Sequence, residues 1–331
     1  FCGHNRIYML CKAKNGRRIR MIKFYKTIDN KITTIDGYQE DCWINVINPT
    51  LDEVDYLIKN FNIEQDFIRA SLDEEESSRI DMEDDQTLFI VDVPIAQASE
   101  KGERTVQYYT LPMGIIIMKK CVVTICTMEN SIVMEMANGF IKNADTAYKT
   151  RFLLLLLLRT AVKYLQCLRQ IQKISSVTES QLHRTMKNKE LIQLLDLQKA
   201  LVYFSTSLKA DEVTIQKIYR GRVIKMYEED QDLLEDVLVE IKQAIEMASI
   251  NSVILSSSLE AFGSIISNNL NIVMKALTSI TILMAIPDII SGIYGMNVSG
   301  LPFDQAWFPL SLIAVSVIVA TIILISKGMF K

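Results

Sequence analysis

Hydrophobic and polar positions change rhythm three times along this chain. Short, strand-like runs come first: IKFYKTID, KITTI and residues 42–46 read as strands. Asn48-Pro49-Thr50 then punctuates the sequence before LDEVDYLIKNF, where Thr50 is a candidate N-cap and Glu53 its capping-box partner. A second helical start falls near Glu64, and EQDFIRASLDEEE carries its acidic end into a loop. Residues 87–94 read as a strand stopped by Pro94, and residues 108–118 with 121–126 as a hairpin. The mixture predicts an α/β domain over residues 21–135.

Beyond that point the strands stop. RFLLLLLLRTAVKYLQCL and KNKELIQLLDLQKALVYFSTSLKADE predict two long antiparallel helices within residues 136–226. The six consecutive leucines are bracketed by charges and are too few to cross a bilayer, which takes about 20 helical residues. They are expected to pack inside the protein. A third helix starts near Tyr227, with Gly263 its only glycine before Gly292 and no proline until Pro287. It is expected to continue for about 65 residues, or roughly 100 Å at 1.5 Å per residue. Its recurring Ile, Leu and Val positions predict a bundle stalk over residues 227–272.

Two apolar runs close the chain. Residues 307–326, WFPLSLIAVSVIVATIILIS, hold 20 residues without a charge. Residues 276–295 match that length but carry Pro287 and Asp288. Both read as membrane spans, the first over 273–295 and the second over 307–326, joined by an outer loop at 296–306 and followed by a tail at 327–331. A carboxylate facing lipid is costly, so Asp288 is expected to face a polar cavity or a partner.

On a helix, Asn271, Met274, Thr278, Thr281, Ala285, Asp288 and Gly292 follow one another by three and four residues and share one face, with Leu277 beside Thr278. That face is polar and small, whereas the remainder is Ile, Leu and Met. One helix cannot enclose a water-filled path, but several copies around an axis can, so the stripe predicts a homo-oligomeric pore. Asp288 then forms a ring of carboxylates and Asn297 a ring of side-chain carbonyls at the outer mouth, while Met274 and Leu277 form an apolar constriction. Neutral carbonyls suit an ion that dehydrates reluctantly, as Mg2+ does. Ordinary packing by small residues is the competing explanation.

Composition narrows the classes further. A net charge of −3 and the lack of a basic stripe with interleaved aromatics argue against nucleic-acid binding. His4 and His183 lie in unrelated contexts, and the six cysteines include no Cys-x-x-Cys pair. Reduced structural thiols and a cytosolic location for most of the chain are expected. No cleavable signal is expected in residues 1–20, an uncertain N-terminal extension, and Met21 is a candidate natural beginning. No nucleotide loop or nucleophile–base pair points to an enzyme, and no organic cofactor is expected. The acidic segment 228–240 holds seven carboxylates in 13 residues. It reads either as a solvated helix face or as one wall of a divalent-cation site, with residues 73–85 as the other wall.

Tyr294-Gly295-Met296-Asn297, closing the first of two C-terminal spans, resembles the signature of the CorA family of magnesium channels. NIVMKALTSIT resembles that family's inner pore segment, and SLKADE and YEEDQDLLEDVLVE lie where the family has cytoplasmic helices. The resemblance covers residue 21 to the end. It implies a funnel-shaped homopentamer in the plasma (inner) membrane with both termini cytoplasmic, passing Mg2+ and also Co2+ or Ni2+, and closing when cytoplasmic Mg2+ is plentiful. It implies Asn297 as the outer selectivity ring, Gly295 and Met296 as its supporting turn, and Gly292 and Asp288 as deeper pore positions. Thr281 and Thr278 follow along the pore, Met274 and Leu277 form the gate, and Asn271 the inner mouth. Asp236 matches a regulatory stalk carboxylate that shares Mg2+ across subunits, with its partner open among Asp81, Asp84 and Asp85.

The chain also departs from the family. Asp288 stands where a hydroxyl residue is frequent, Ala285 where a bulky methionine occurs, and Pro287 is displaced by one residue. The outer loop has a single carboxylate, Asp304. A zinc transporter of the same fold is the alternative within transport, although the stripe has no His or Cys. A membrane-anchored scaffold is the alternative outside it.

Overall fold

The computed structural model describes residues 22–98, 106–185, 188–221, 223–296, 305 and 307–329. The chain divides after Leu255 into two compact units.

The first unit is built on a sheet of β1 (Ile22–Ile28), β2 (Lys31–Ile35), β3 (Cys42–Ile47), β4 (Arg79–Glu83), β5 (Gln86–Ala98), β6 (Val106–Met118) and β7 (Cys121–Cys126). The spatial order is β2-β1-β3-β7-β6-β5-β4. Only β3 and β7 are parallel, and the other neighbours are antiparallel. Alternation along the strands feeds two cores. Cys42, Ile44 and Val46 join Cys121, Val123 and Ile125 under α1 (Leu51–Phe61) and α2 (Gln65–Ser71). Trp43, Val122, Phe89 and Val91 face the opposite way, under α3 (Ser131–Ala137) and α4 (Lys149–Thr185). Ile215 and Ile218 of α5 (Asn188–Gly221) and Leu234, Val237 and Ile241 of α6 (Glu228–Tyr294) complete that core.

Local sequence explains the framework. Thr50 caps α1 through the full capping box with Glu53, and Asn62 ends the helix in the left-handed region at φ 54°. Trp43 Nε1 donates to Thr124 Oγ1 at 2.8 Å and Thr124 Oγ1 donates to Asn45 Oδ1 at 3.0 Å, so the polar groups of this core are paired. The leucine run of α4 is core: Leu153, Leu154, Leu156 and Leu157 are buried against the sheet. Gly114 is needed for a close approach, because a Cβ there would lie 1.8 Å from Ser71 Oγ on α2.

Three features differ from the sequence expectation. β5 does not stop at Pro94 but runs to Ala98, with Pro94 opposite Thr110. β4 pairs with β5 only as far as Ile90, so beyond it the outer edge of β5 has no neighbouring strand among the described residues. Pro94 lacks an N–H at a place where no ladder bond is required. β4 lies inside the acidic segment 73–85, for which the sequence reading named no strand, and α3 is an additional helix, capped by Asn130, whose side chain accepts from Val133 N at 2.9 Å.

In the second unit the remainder of α6 accompanies α7 (Trp307–Ser326). Both helices are long and apolar enough to cross a membrane, and only 6% of the apolar window of each is buried. Tyr294 and Phe308 bring their rings to 6.3 Å, and Phe262, Ser279 and Leu324 are the buried side chains among the described residues of this unit.

Candidate functional site

The polar stripe lies on the second-unit part of α6. Asn271, Met274, Leu277, Thr278, Thr281, Asp288 and Gly292 are all exposed, and Ala285 is half-buried. The less accessible side of the same segment is made of Ala276, Ser279, Leu283, Ile286, Pro287, Ile290 and Tyr294. At about 100° per residue (3.6 per turn), these two sets centre on opposite sides of the helix. The covered side carries the Tyr294–Phe308 contact, so α7 occupies the side away from the stripe. The stripe itself is left without a partner in the single chain.

Its chemistry is that of a surface meant to be covered or wetted. Thr281 Oγ1 donates to the Leu277 carbonyl at 2.9 Å and Ser279 Oγ to the Lys275 carbonyl at 2.8 Å, so these hydroxyls are compatible with an apolar medium. Asp288 stands exposed on the same segment, as do Ile282, Met284 and Ile289. Around Gly292 an added Cβ would meet open space, whereas at Gly295 it would lie 2.9 Å from the Ser291 carbonyl oxygen. Gly295 N–H donates to that same carbonyl at 2.8 Å and ends the helix. The residues of the GMN turn therefore divide: Gly295 is required by its own chain, and Met296 is exposed. Asn297 and Asp304 lie outside the described residues.

The four carboxylates expected to bind a regulatory ion lie on α6, on β4 and in the turn between β4 and β5. Asp236 is exposed on α6. Asp81 is on β4, where its Oδ2 accepts from Arg79 Nε at 2.7 Å. Asp84 and Asp85 form the two-residue turn between β4 and β5, with Asp84 in the left-handed region at φ 46° and Asp85 paired with Lys119. Among the described residues of this single chain, no three His, Cys, Asp or Glu side chains are gathered to hold a metal ion.

The thiols behave as structural groups. Cys42, Cys121, Cys126 and Cys167 are free and buried. Burial pushes Cys121 and Cys126 up to about 12 and Cys167 up to about 11, which leaves them protonated and unreactive. Cys2 and Cys11 lie outside the described residues.

One polar cluster has no counterpart in the sequence reading. Asp92 of β5 and Asp211 of α5 meet inside the first unit. Asp211 Oδ1 accepts from Ser78 Oγ at 2.7 Å and from the Asp92 backbone N–H at 3.0 Å. Burial pushes both carboxyls above the ordinary carboxylate range, and the Asp92 charge pushes Asp211 further. The readable signal is a charged residue in each of two apolar patterns, LFIVDVP and the stripe of Phe204, Leu208, Ile215 and Ile218.

Comparison with known proteins matches this arrangement. The chain is 26% identical over 305 residues to the cobalt/magnesium transport protein CorA of Methanocaldococcus jannaschii, covering 86% of this chain and 90% of that protein. In fold it is similar to the complete structure of the CorA magnesium transporter from the same organism, with a TM-score of 0.75 at 23% identity over 93% of this chain and 96% of that one. It is also similar to the full-length CmaX protein, with a TM-score of 0.67 at 15% identity over 94% and 99%. The family model described as CorA-like Mg2+ transporter protein matches residues 38–327, nearly the whole of the two units. The α/β unit, the long helices and the paired C-terminal spans are thus those of a shared design, and this chain belongs to the CorA-like Mg2+ transporter family.

Proposed function

We propose that this chain is a Mg2+ channel subunit in which copies of α6 surround the conduction path with the stripe from Asn271 to Gly292. The observation that carries the reading is the stripe's position: it is exposed on the side of α6 opposite the face that packs with α7. Five copies in a funnel-shaped homopentamer, as the family resemblance implies, enclose this face and leave the apolar sides to lipid. Asp288 contributes a ring of carboxylates, Thr278 and Thr281 add hydroxyls, and Met274 with Leu277 forms a constriction that gates by dewetting. Asn297 holds the hydrated ion at the outer mouth, with Gly295 and Met296 forming the turn beneath it. Co2+ and Ni2+ share the size class of the hydrated ion and pass by the same path.

The charge pattern supports cytoplasmic ends in a plasma (inner) membrane. Lys275 lies in the first turn of the first span and Lys327 follows the second, while residues 297–306 contain no Lys or Arg. Regulation is assigned to Asp236 with a carboxylate of a neighbouring copy's β4–β5 hairpin. Asp81 is engaged by Arg79 and Asp85 by Lys119, which favours Asp84 as the partner.

Mg2+ influx into liposomes holding the purified protein, under an imposed potential and with a Mg2+-sensitive dye inside, tests the reading. Wild type is expected to fill the vesicles, Asn297→Ala to lose at least tenfold in rate, and Asp288→Asn to lose less. Vesicles that stay empty of Mg2+ at low cytoplasmic-side Mg2+ but fill with Zn2+ under a proton gradient would overturn it.

A further inference from the structure

Two carboxyl groups, those of Asp92 and Asp211, meet inside the first unit, and no Lys, Arg or His among the described residues acts on either. Asp211 is 1% exposed, and its Oδ2 is buried without a hydrogen-bond partner among the described residues. Asp92 is half-buried on β5 and its carboxyl meets the Ser207 hydroxyl of α5. Ser207 Oγ lies 3.0 Å from Thr110 Oγ1 of β6. From α4, the Tyr164 hydroxyl donates to the Asp92 carbonyl at 3.2 Å, with the Cys167 thiol nearby. From the segment before β4, Ser78 donates to Asp211, while the adjacent Arg79 is committed to Glu76 and Asp81. Hydroxyls and one backbone amide therefore surround the pair, and the positive charge that two buried carboxylates would require is missing from every described element packed there.

Like charges at such range in a poorly solvated place do not both ionise. We propose that Asp92 and Asp211 share one proton, and that this proton latches α5 and the segment before β4 onto β5. With it, the pair carries a single charge spread over the donors of Ser78, Ser207 and the Asp92 amide. Without it, two negative charges repel across the contact between α5 and the sheet. The proton is bound more tightly by the folded chain than by the unfolded one. The pair's contribution to stability is therefore complete below the ordinary carboxylate range and is lost as pH rises through the raised pKa of the pair. The latch makes the first unit responsive to alkalinity, whichever ion the second unit carries.

The full-length protein in detergent micelles tests this by infrared spectroscopy and thermal melting across neutral and alkaline pH. Wild type is expected to show a protonated-carboxyl C=O band at neutral pH that fades on alkalinisation while the melting temperature falls. Asp211→Asn keeps an oxygen for Ser78 and the Asp92 amide and offers an N–H to Asp92. It is expected to abolish the band and make the melting temperature's fall with pH at least twofold shallower. Asp92→Asn retains the backbone amide and serves as the second variant, with the same flattening expected. A wild type with no band that Asp211→Asn removes would overturn the latch, as would equal pH slopes in wild type and both variants. A missing band together with melting raised by added Mg2+ would also overturn it, by making a metal ion the neutraliser.

Discussion

Helix α6 carries two stripes with the same spacing and opposite fates. Leu234, Val237, Ile241, Ala244, Ala248, Asn251 and Leu255 recur by threes and fours, and all are buried in the first unit. Asn271, Met274, Thr278, Thr281, Ala285, Asp288 and Gly292 repeat the same steps in the second unit and, Ala285 apart, stay exposed. The geometry is identical, so chemistry decides the outcome. The first stripe is apolar except for Asn251, whose Nδ2 donates to the Leu168 carbonyl at 3.4 Å. The second carries a carboxylate, Asp288, whose charge a dry core would leave unsatisfied. Meanwhile the other sides of that second segment expose Ile272, Ile280, Met284 and Ile289, far more apolar surface than an isolated chain in water tolerates. One stripe is covered within its own chain, and the other is left exposed among the described residues.

The sharpest way to break this comparison is to make the same truncation in each stripe. Leu234 is fully buried and Leu277 is 56% exposed. Leu234→Ala is expected to destabilise the first unit by about 2–5 kcal/mol, visible as an earlier denaturant transition. Leu277→Ala leaves that transition in place and alters Mg2+ flux instead. A Leu277→Ala protein that unfolded as early as Leu234→Ala would erase the distinction.

Glycines give the next contrast. Gly114→Ala forces a Cβ into Ser71 and is expected to cost about 1–3 kcal/mol in the same unfolding measurement. Gly292→Ala meets open space in the single chain. Its melting is expected to match wild type, and loss of flux in that variant would place the need for glycine in the assembled pore. The smallest effect concerns a surface cap: Thr50→Ala removes the capping box of α1 and should cost about 0.5–2 kcal/mol without touching transport. Equal flux and a lowered melting temperature would check it.

The sequence was most legible where a local rule decides the structure. The Thr50–Glu53 box, the charge-bracketed leucine run of α4 and the unbroken stretch from Glu228 all have short-range causes, and the structure has them as read. The misreadings have long-range causes. Pro94 stops a strand only if its edge is paired, and where β4 ends is not written near Pro94. β4 itself is the sequence RIDME, whose charges look like a loop because its pattern is that of an outer strand with half its residues toward water. For the site, the three-and-four spacing made the stripe readable, but its place opposite α7 required the partner helix. Asp92 and Asp211 stand 119 residues apart, and nothing local joins them.

The two strand prolines, Pro94 and Pro112, have a further consequence for the sheet of the first unit. Beyond Ile90 on one side and Met113 on the other, β5 and β6 continue as a ribbon that neither β4 nor β7 accompanies. Such a ribbon offers two bare edges on which a foreign strand could grow. On the β5 edge the Asp92 amide and carbonyl are occupied by Asp211 and Tyr164, and at Pro94 the next donor on that edge is absent altogether. On the β6 edge Pro112, opposite Asp92, removes a donor just past the last rung shared with β7. On this ribbon the two prolines leave fewer free backbone donors to which a foreign strand could pair.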